Sequence, residues 1–174
     1  MILCAVDPGY RQSAVVVWDG KQILWHAIEA NEALLEMLET QAIGIKAGDP
    51  RPLLVIEQMQ LFSTSFGVGQ EIFDSVFWSG QFVHAWKPRR WDRILRSKVR
   101  GHLRASKGGD AAVRASLIDR FGPYKEKAIG FKKTPGPLYG IKADEWSALA
   151  IAVTYYDLHH ADPETIRPGI SPEF

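Results

Sequence analysis

Two short apolar runs, Ile2–Val6 and Leu53–Ile56, each end directly on an acid, Asp7 and Glu57. Compact apolar runs of this length, bounded by turn signals, read as buried strands. Asp7-Pro8-Gly9 is such a signal. A valine-rich run, Ser13–Trp18, follows; Asp19-Gly20 is a hairpin dipeptide, and Gln22–Ile28 resumes as a third strand. The chain thus opens as a three-strand meander.

Helical and strand patterns then alternate. The spacing predicts a helix from Glu32 to about Gln41 with Asn31 as its N-cap, and a second from Glu71 to Trp78. Phe82–Trp86 reads as a strand, and Lys107–Phe121 as an amphipathic helix. A lysine-bearing loop follows from Gly122 to Gly140, then a strongly apolar helix from about Ala143 to Leu158. This order predicts one α/β domain over residues 1–158, with a mixed sheet and helices on both faces. Residues 159–174 hold three prolines and read as a loosely held tail.

The 174 residues, 46% of them hydrophobic, suit a single core. No apolar run approaches the roughly 18–20 residues of a membrane span. Asp7 interrupts the first run too early for a signal peptide. Cys4 is the lone cysteine, so no internal disulfide is expected, and a cytoplasmic, reducing setting follows.

The formal net charge of +1 conceals an asymmetry. Lys87–Lys142 holds sixteen Lys or Arg against four Asp or Glu, so the remainder of the chain is strongly acidic. Its densest part contains Arg89, Arg90, Arg93, Arg96 and Lys98, with Trp86 and Trp91 beside its start. A basic run is often only a solvated face. Interleaved aromatics favour a polyanion, and nucleic acid is the commonest one.

Three carboxylates stand where a carboxylate is awkward: Asp7 and Glu57 at strand ends, and Asp144 at the start of the apolar final helix. Each has an ordinary explanation, as turn residue, solvent-facing strand end and N-cap respectively. Together, at one edge of a sheet, they suit hard divalent cations. Phosphodiester hydrolysis uses such ions to activate water and to stabilise the leaving oxygen. The five histidines lack zinc-ligand spacing, and His159-His160 reads as a pair of cations at a helix C-terminus.

Cys4-Ala5-Val6-Asp7-Pro8-Gly9 resembles the opening strand of RuvC-type Holliday junction resolvases, and Val55-Ile56-Glu57-Gln58 resembles their second motif. Gly69-Gln70, and Lys142-Ala143-Asp144 with Ala148–Ala152, are similar to later family blocks in the same order. Pro88-Arg89-Arg90-Trp91 resembles the phage and organelle branch. The resemblance implies a ribonuclease H-like fold with a mixed five-stranded sheet and a homodimer. It also implies two Mg²⁺ or Mn²⁺ ions per site and nicking of four-way DNA junctions.

By motif position, Asp7, Glu57 and Asp144 are the implied metal ligands, and Lys107 matches a lysine near the scissile phosphate. Leu61, Phe62 and Phe66 fall in a loop whose family equivalents enter the junction, although capping the core is an equal reading. The fourth family acid is replaced by Ser147. Two completions stay open: Ser147 holding a water, or Glu145 reaching in from the helix start. Glu71–Trp86 is the expected dimer surface, because Ile72, Phe73, Val76, Phe77 and Trp78 exceed what one helix face needs to bury. The rival readings are a related nuclease acting on forks, flaps or hybrids, and a non-catalytic nucleic-acid-binding module.

Overall fold

The computed structural model describes residues 1–46, 48, 50–60, 69–87 and 89–159. Strands β1 (Leu3–Asp7), β2 (Gln12–Trp18) and β3 (Ile23–Ala30) form the expected antiparallel meander. Helix α1 (Asn31–Thr40) leads to β4 (Leu53–Gln58) and α2 (Gln70–Trp86). Strand β5 (Trp91–Leu95) runs directly into α3 (Arg96–His102). Helices α4 (Gly109–Phe121) and α5 (Lys125–Ala128), the two-residue strands β6 (Gly130–Phe131) and β7 (Thr134–Pro135), and α6 (Glu145–His159) complete the order.

The main sheet has five strands in the order β3-β2-β1-β4-β5, with β4 parallel to both β1 and β5. Its central strand, β1, is buried on both faces because alternate side chains enter two separate cores. Leu3 and Ala5 pack with Val55 against α6, α3 and α4. Cys4 and Val6 pack with Leu54 and Ile56 against Leu34, Leu38, Phe82 and Trp86 of α1 and α2. Burial pushes the Cys4 thiol up to about 12, so it behaves as a small apolar side chain.

Three expectations need correction. Phe82–Trp86 is the last part of α2: Ser75, Phe82, Ala85 and Trp86 recur at helical spacing and form its buried face. The fifth strand is instead Trp91–Leu95, at the sheet edge, where Arg93 faces water and Asp92 accepts the Tyr155 hydroxyl at 2.7 Å, so that its charges conceal the strand pattern. The expected helix from Lys107 starts at Gly109, and Arg96–His102 forms a helix of its own.

Asn31 is also reassigned. Ala30 holds the N-cap position of α1 and Asn31 is its fully buried first residue. Its Nδ2 donates to the Gly9 carbonyl at 3.0 Å, and its Oδ1 accepts from Ser13 Oγ at 2.6 Å. Ser13 Oγ in turn accepts from the Gly9 N–H at 3.1 Å. The clamp grips the turn that follows Asp7. A Cβ on Gly9 would lie 2.3 Å from the Gln12 carbonyl oxygen, so only glycine fits there. Asn31→Ala leaves buried polar groups without partners and is expected to destabilise the fold by about 1–3 kcal/mol. Urea denaturation measures it, and a loss below about 0.5 kcal/mol would mean the clamp is dispensable.

Candidate active site

Parallel pairing of β1 with β4 sets the geometry. Leu3, Cys4, Ala5 and Val6 lie opposite Leu53, Leu54, Val55 and Ile56. Continued by one residue, this register sets Asp7 beside Glu57, on strands about 4.8 Å apart. Strand alternation aims both acids to the face that α6 covers.

Glu57 is buried, whereas Asp7 keeps part of its surface open at the sheet edge. Burial raises the Asp7 carboxyl well above the ordinary carboxylate range. Hydrogen bonding with Glu57 and the charges of Glu57 and Asp144 add to the rise, and Arg96 opposes it.

Asp144 is exposed in the turn before α6, where its carbonyl accepts the N–H groups of Ser147 at 2.9 Å and Ala148 at 3.1 Å. The preceding Ala143 has φ +40°, a left-handed conformation costing a residue with a Cβ about 1–3 kcal/mol.

The two candidate completions of the acid set part company here. Ser147 is half-buried and lines a cavity of about 20 Å³ with Glu57, Arg96 and Asp110, room for about one water. Glu145 is turned elsewhere and is 1% exposed. Its Oε1 is 3.0 Å from His26 Nδ1, and its Oε2 accepts the Lys142 N–H at 2.8 Å. Two helical steps of about 100° each place the two on opposite sides of α6.

Arg96 is the largest surprise, since its charge suggested a phosphate contact. It lies one residue past β5, and its guanidinium stands 3.7 Å from Glu57 Oε1 and 2.8 Å from Asp110 Oδ1. Arg100 also reaches Asp110, at 3.1 Å. Burial works most strongly against ionisation of Asp110, yet the hydrogen bonds from the two arginines outweigh it and hold its carboxyl below the ordinary value. Nothing in the sequence singles out Asp110, one of four acids in the basic stretch.

Glu57 Oε1 is buried and accepts no hydrogen bond. A buried acceptor in that state, with a second carboxyl beside it, is chemistry that a hard divalent cation satisfies. Asp7 and Glu57 supply the pair and Asp144 stands at its edge. Among the described residues, no three His, Cys, Asp or Glu side chains are gathered closely enough to enclose an ion.

The other candidates are dispersed. Arg89 stacks over Trp86, 5.4 Å from the ring centroid, and its Nη1 donates to the Trp86 carbonyl at 3.4 Å. The Arg90 carbonyl accepts from Trp86 Nε1 at 2.8 Å and from the Leu54 N–H at 3.2 Å, tying β5 to its neighbours. Arg93 is exposed on β5 and lines a cavity with Glu57 and Trp91. Lys98 is exposed on α3, and Lys107 in the turn before α4. His159 Nδ1 bonds the Tyr155 carbonyl at 2.9 Å. Leu61, Phe62 and Phe66 lie outside the described residues, as does His160.

The mixed five-stranded sheet with helices on both faces is the α/β architecture of ribonuclease H-like proteins. More narrowly, it is the fold of RuvC-type resolvases. The chain is similar to the Thermus thermophilus RuvC structure at a TM-score of 0.56 and 15% identity, over 97% of this chain and 100% of that one. It is similar to T. thermophilus RuvC in complex with a Holliday junction substrate at a TM-score of 0.60 and 16% identity, over 97% and 99% of the two chains. Neither a protein-family model nor a curated protein sequence matches the chain. No helix among the described residues is long and apolar enough to cross a membrane.

The raised Asp7 carboxyl predicts a pH signature. A folded-state value above the unfolded one adds stability below the ordinary carboxylate range, and that stability is lost as pH rises through the folded value. In EDTA, the stability of Asp7→Asn relative to wild type is therefore expected to increase with pH from about 4 towards 7. Denaturation midpoints across that range measure it. A difference that does not change with pH would mean the Asp7 carboxyl is unperturbed.

Proposed function

We propose that the chain is a divalent-metal-dependent endonuclease that nicks branched DNA, four-way junctions above all. The observation carrying this reading is the Asp7–Glu57 pair at the ends of two parallel strands, facing α6. Likeness of fold to a RuvC solved with a Holliday junction substrate supports the choice of DNA geometry.

In this reading the Asp7–Glu57 pair would hold the two Mg²⁺ or Mn²⁺ ions, with Asp144 closing in on them from the turn before α6, and Ser147 would hold a water at the position where a further acid is expected. The ions, when bound, activate the attacking water and offset charge on the leaving oxygen. Arg96 neutralises Glu57 until a cation does so. Lys107 stands towards the scissile phosphate, and Arg90, Arg93 and Lys98 meet phosphates of the arms. Arg89 acts mainly through its stack on Trp86. Phe62 and Phe66 are assigned to the branch point on sequence grounds alone.

The partner is a second copy, docked through α2. Ile72, Phe73, Val76 and Phe77 expose 38–58% of their surface there, an apolar stripe that water does not favour. Trp78 leaves that stripe and stacks on Phe82 at 5.9 Å. The protein would work on intracellular DNA.

A second reading, a DNA-binding module without catalysis, draws on Arg96 beside Glu57 and on the serine at 147. One experiment separates the two. Wild type is expected to nick a labelled four-way junction only with Mg²⁺ or Mn²⁺, and Asp7→Asn to bind that junction without cutting it. Binding without nicking at any metal concentration would leave the module reading standing.

Ser147→Asp is expected to lower the Mg²⁺ concentration for half-maximal nicking, because a carboxylate is a stronger ligand than a hydroxyl for a hard cation. The same change destabilises the metal-free protein by adding a like charge. An unchanged Mg²⁺ dependence would remove Ser147 from the site.

A further inference from the structure

The lysine-bearing segment between α4 and α6 is built rather than loose. Ala128 and Leu138 are fully buried, and Ile141 nearly so, all in the core beneath α6. The Leu138 N–H donates to the Ala128 carbonyl at 2.8 Å, and the Gly136 N–H to the Ile129 carbonyl at 2.9 Å. Gly130, at φ +71°, packs so tightly that a Cβ there would lie 2.3 Å from the Thr134 carbonyl oxygen. These anchors hold up a short hairpin, β6–β7, with Lys132 and Lys133 at its tip.

What the hairpin and the segments on either side of it present is unusual for a surface. Tyr124 is 77% exposed, Phe131 64% and Tyr139 44%. Residues 123–142 carry five lysines, Lys125, Lys127, Lys132, Lys133 and Lys142, against the single acid Glu126. Tyr124 is also held at φ +77°, a conformation that costs a residue with a Cβ about 1–3 kcal/mol. Burying a Phe or Tyr side chain is worth about 1.5–3 kcal/mol, and the fold leaves that gain unused here.

The segment that carries the hairpin borders the candidate site through α5, whose Lys125 lines an open cleft of about 470 Å³ together with Asp110, Arg114, Asp144 and Ser147.

We infer that this hairpin is a second DNA-contact element, on which unpaired nucleotides at the branch point stack. Aromatic faces take bases of any sequence, and lysines beside them take the backbone phosphates. A fully paired duplex arm offers its phosphates but hides its base faces, so only the lysines engage it. The inference rests on the proposed action on branched DNA for its substrate, but not for its chemistry.

The test uses the full chain in EDTA, so that no strand is cut. Three fluorescent probes are titrated: a four-way junction with 2-aminopurine at the branch point, a deoxythymidine oligonucleotide, and a duplex of equal length. Phe131→Ala is expected to weaken binding to the junction and the single strand about tenfold and to leave the duplex unchanged. Phe131→Tyr should restore both. Lys132→Gln with Lys133→Gln should weaken all three probes and flatten their salt dependence. Because Phe131 is exposed, its loss leaves the core intact, and the melting temperature verifies that.

Loss of binding to the oligonucleotide alone, with no wild-type preference for the junction, would keep the stacking surface and remove the junction reading. Equal affinity of Phe131→Ala and wild type for both the junction and the single strand overturns the inference, as does an equal loss on duplex.

Discussion

Two carboxylates forced side by side in a folded core are the interaction around which this structure is arranged. Asp7 and Glu57 end adjacent parallel strands, so backbone pairing, not side-chain attraction, brings them together. Like charges at that separation resist joint ionisation. The fold offsets the cost locally: Asp7 is pushed towards its neutral form, and Arg96 leans over Glu57 from the first residue after the edge strand. Asp110 and Arg100 then steady Arg96, so α3 and α4 are tied electrostatically to the acid pair. Hydrophobic packing accounts for the layers of this protein, and charge compensation for how its last helices meet the sheet.

The parts legible in the sequence are those in which local pattern and tertiary role agree. Leu3–Val6 and Leu53–Ile56 are buried on both faces, so they read as apolar runs and end where the acids begin. Asp19-Gly20 marks the hairpin because Gly20 takes a φ of +96° and Asp19 Oδ1 accepts the Lys21 and Gln22 N–H groups, each at 2.8 Å. Ala148–Val153 is apolar all round because α6 is buried all round. Illegible parts are those in which neighbours decide. Phe82–Trp86 is too short an apolar run to declare its period, and helix wins because Trp78 and Ser75 continue the same face. Strand β5 carries its charges outward at an edge, which conceals the pairing of Ile94 with Glu57. Asn31 and Arg96 look like a cap and a surface cation until the third dimension shows what they hold.

The basic half of the chain illustrates the same point for charge. A count of lysines and arginines treats them alike, yet the fold divides them into two populations. Arg89, Arg96, Arg100 and Arg120 are committed to a ring, a carbonyl or a carboxylate within the protein. Lys98, Lys107, Lys125, Lys127, Lys132 and Lys133 are exposed. Arginine's planar fork suits fixed internal partners as well as phosphates, so exposed Arg93 belongs with the lysines rather than with the committed arginines.

The central strand has a consequence for how errors in this protein sort themselves. Side chains along β1 alternate between two dry compartments, and Asp7 belongs to one of them by parity alone. A slip of one residue against β4 would drive the acid into the opposite layer and every valine and leucine into the wrong cavity. The same packing that excludes that slip therefore sets the acids side by side, and the fold and the acid pair share one determinant.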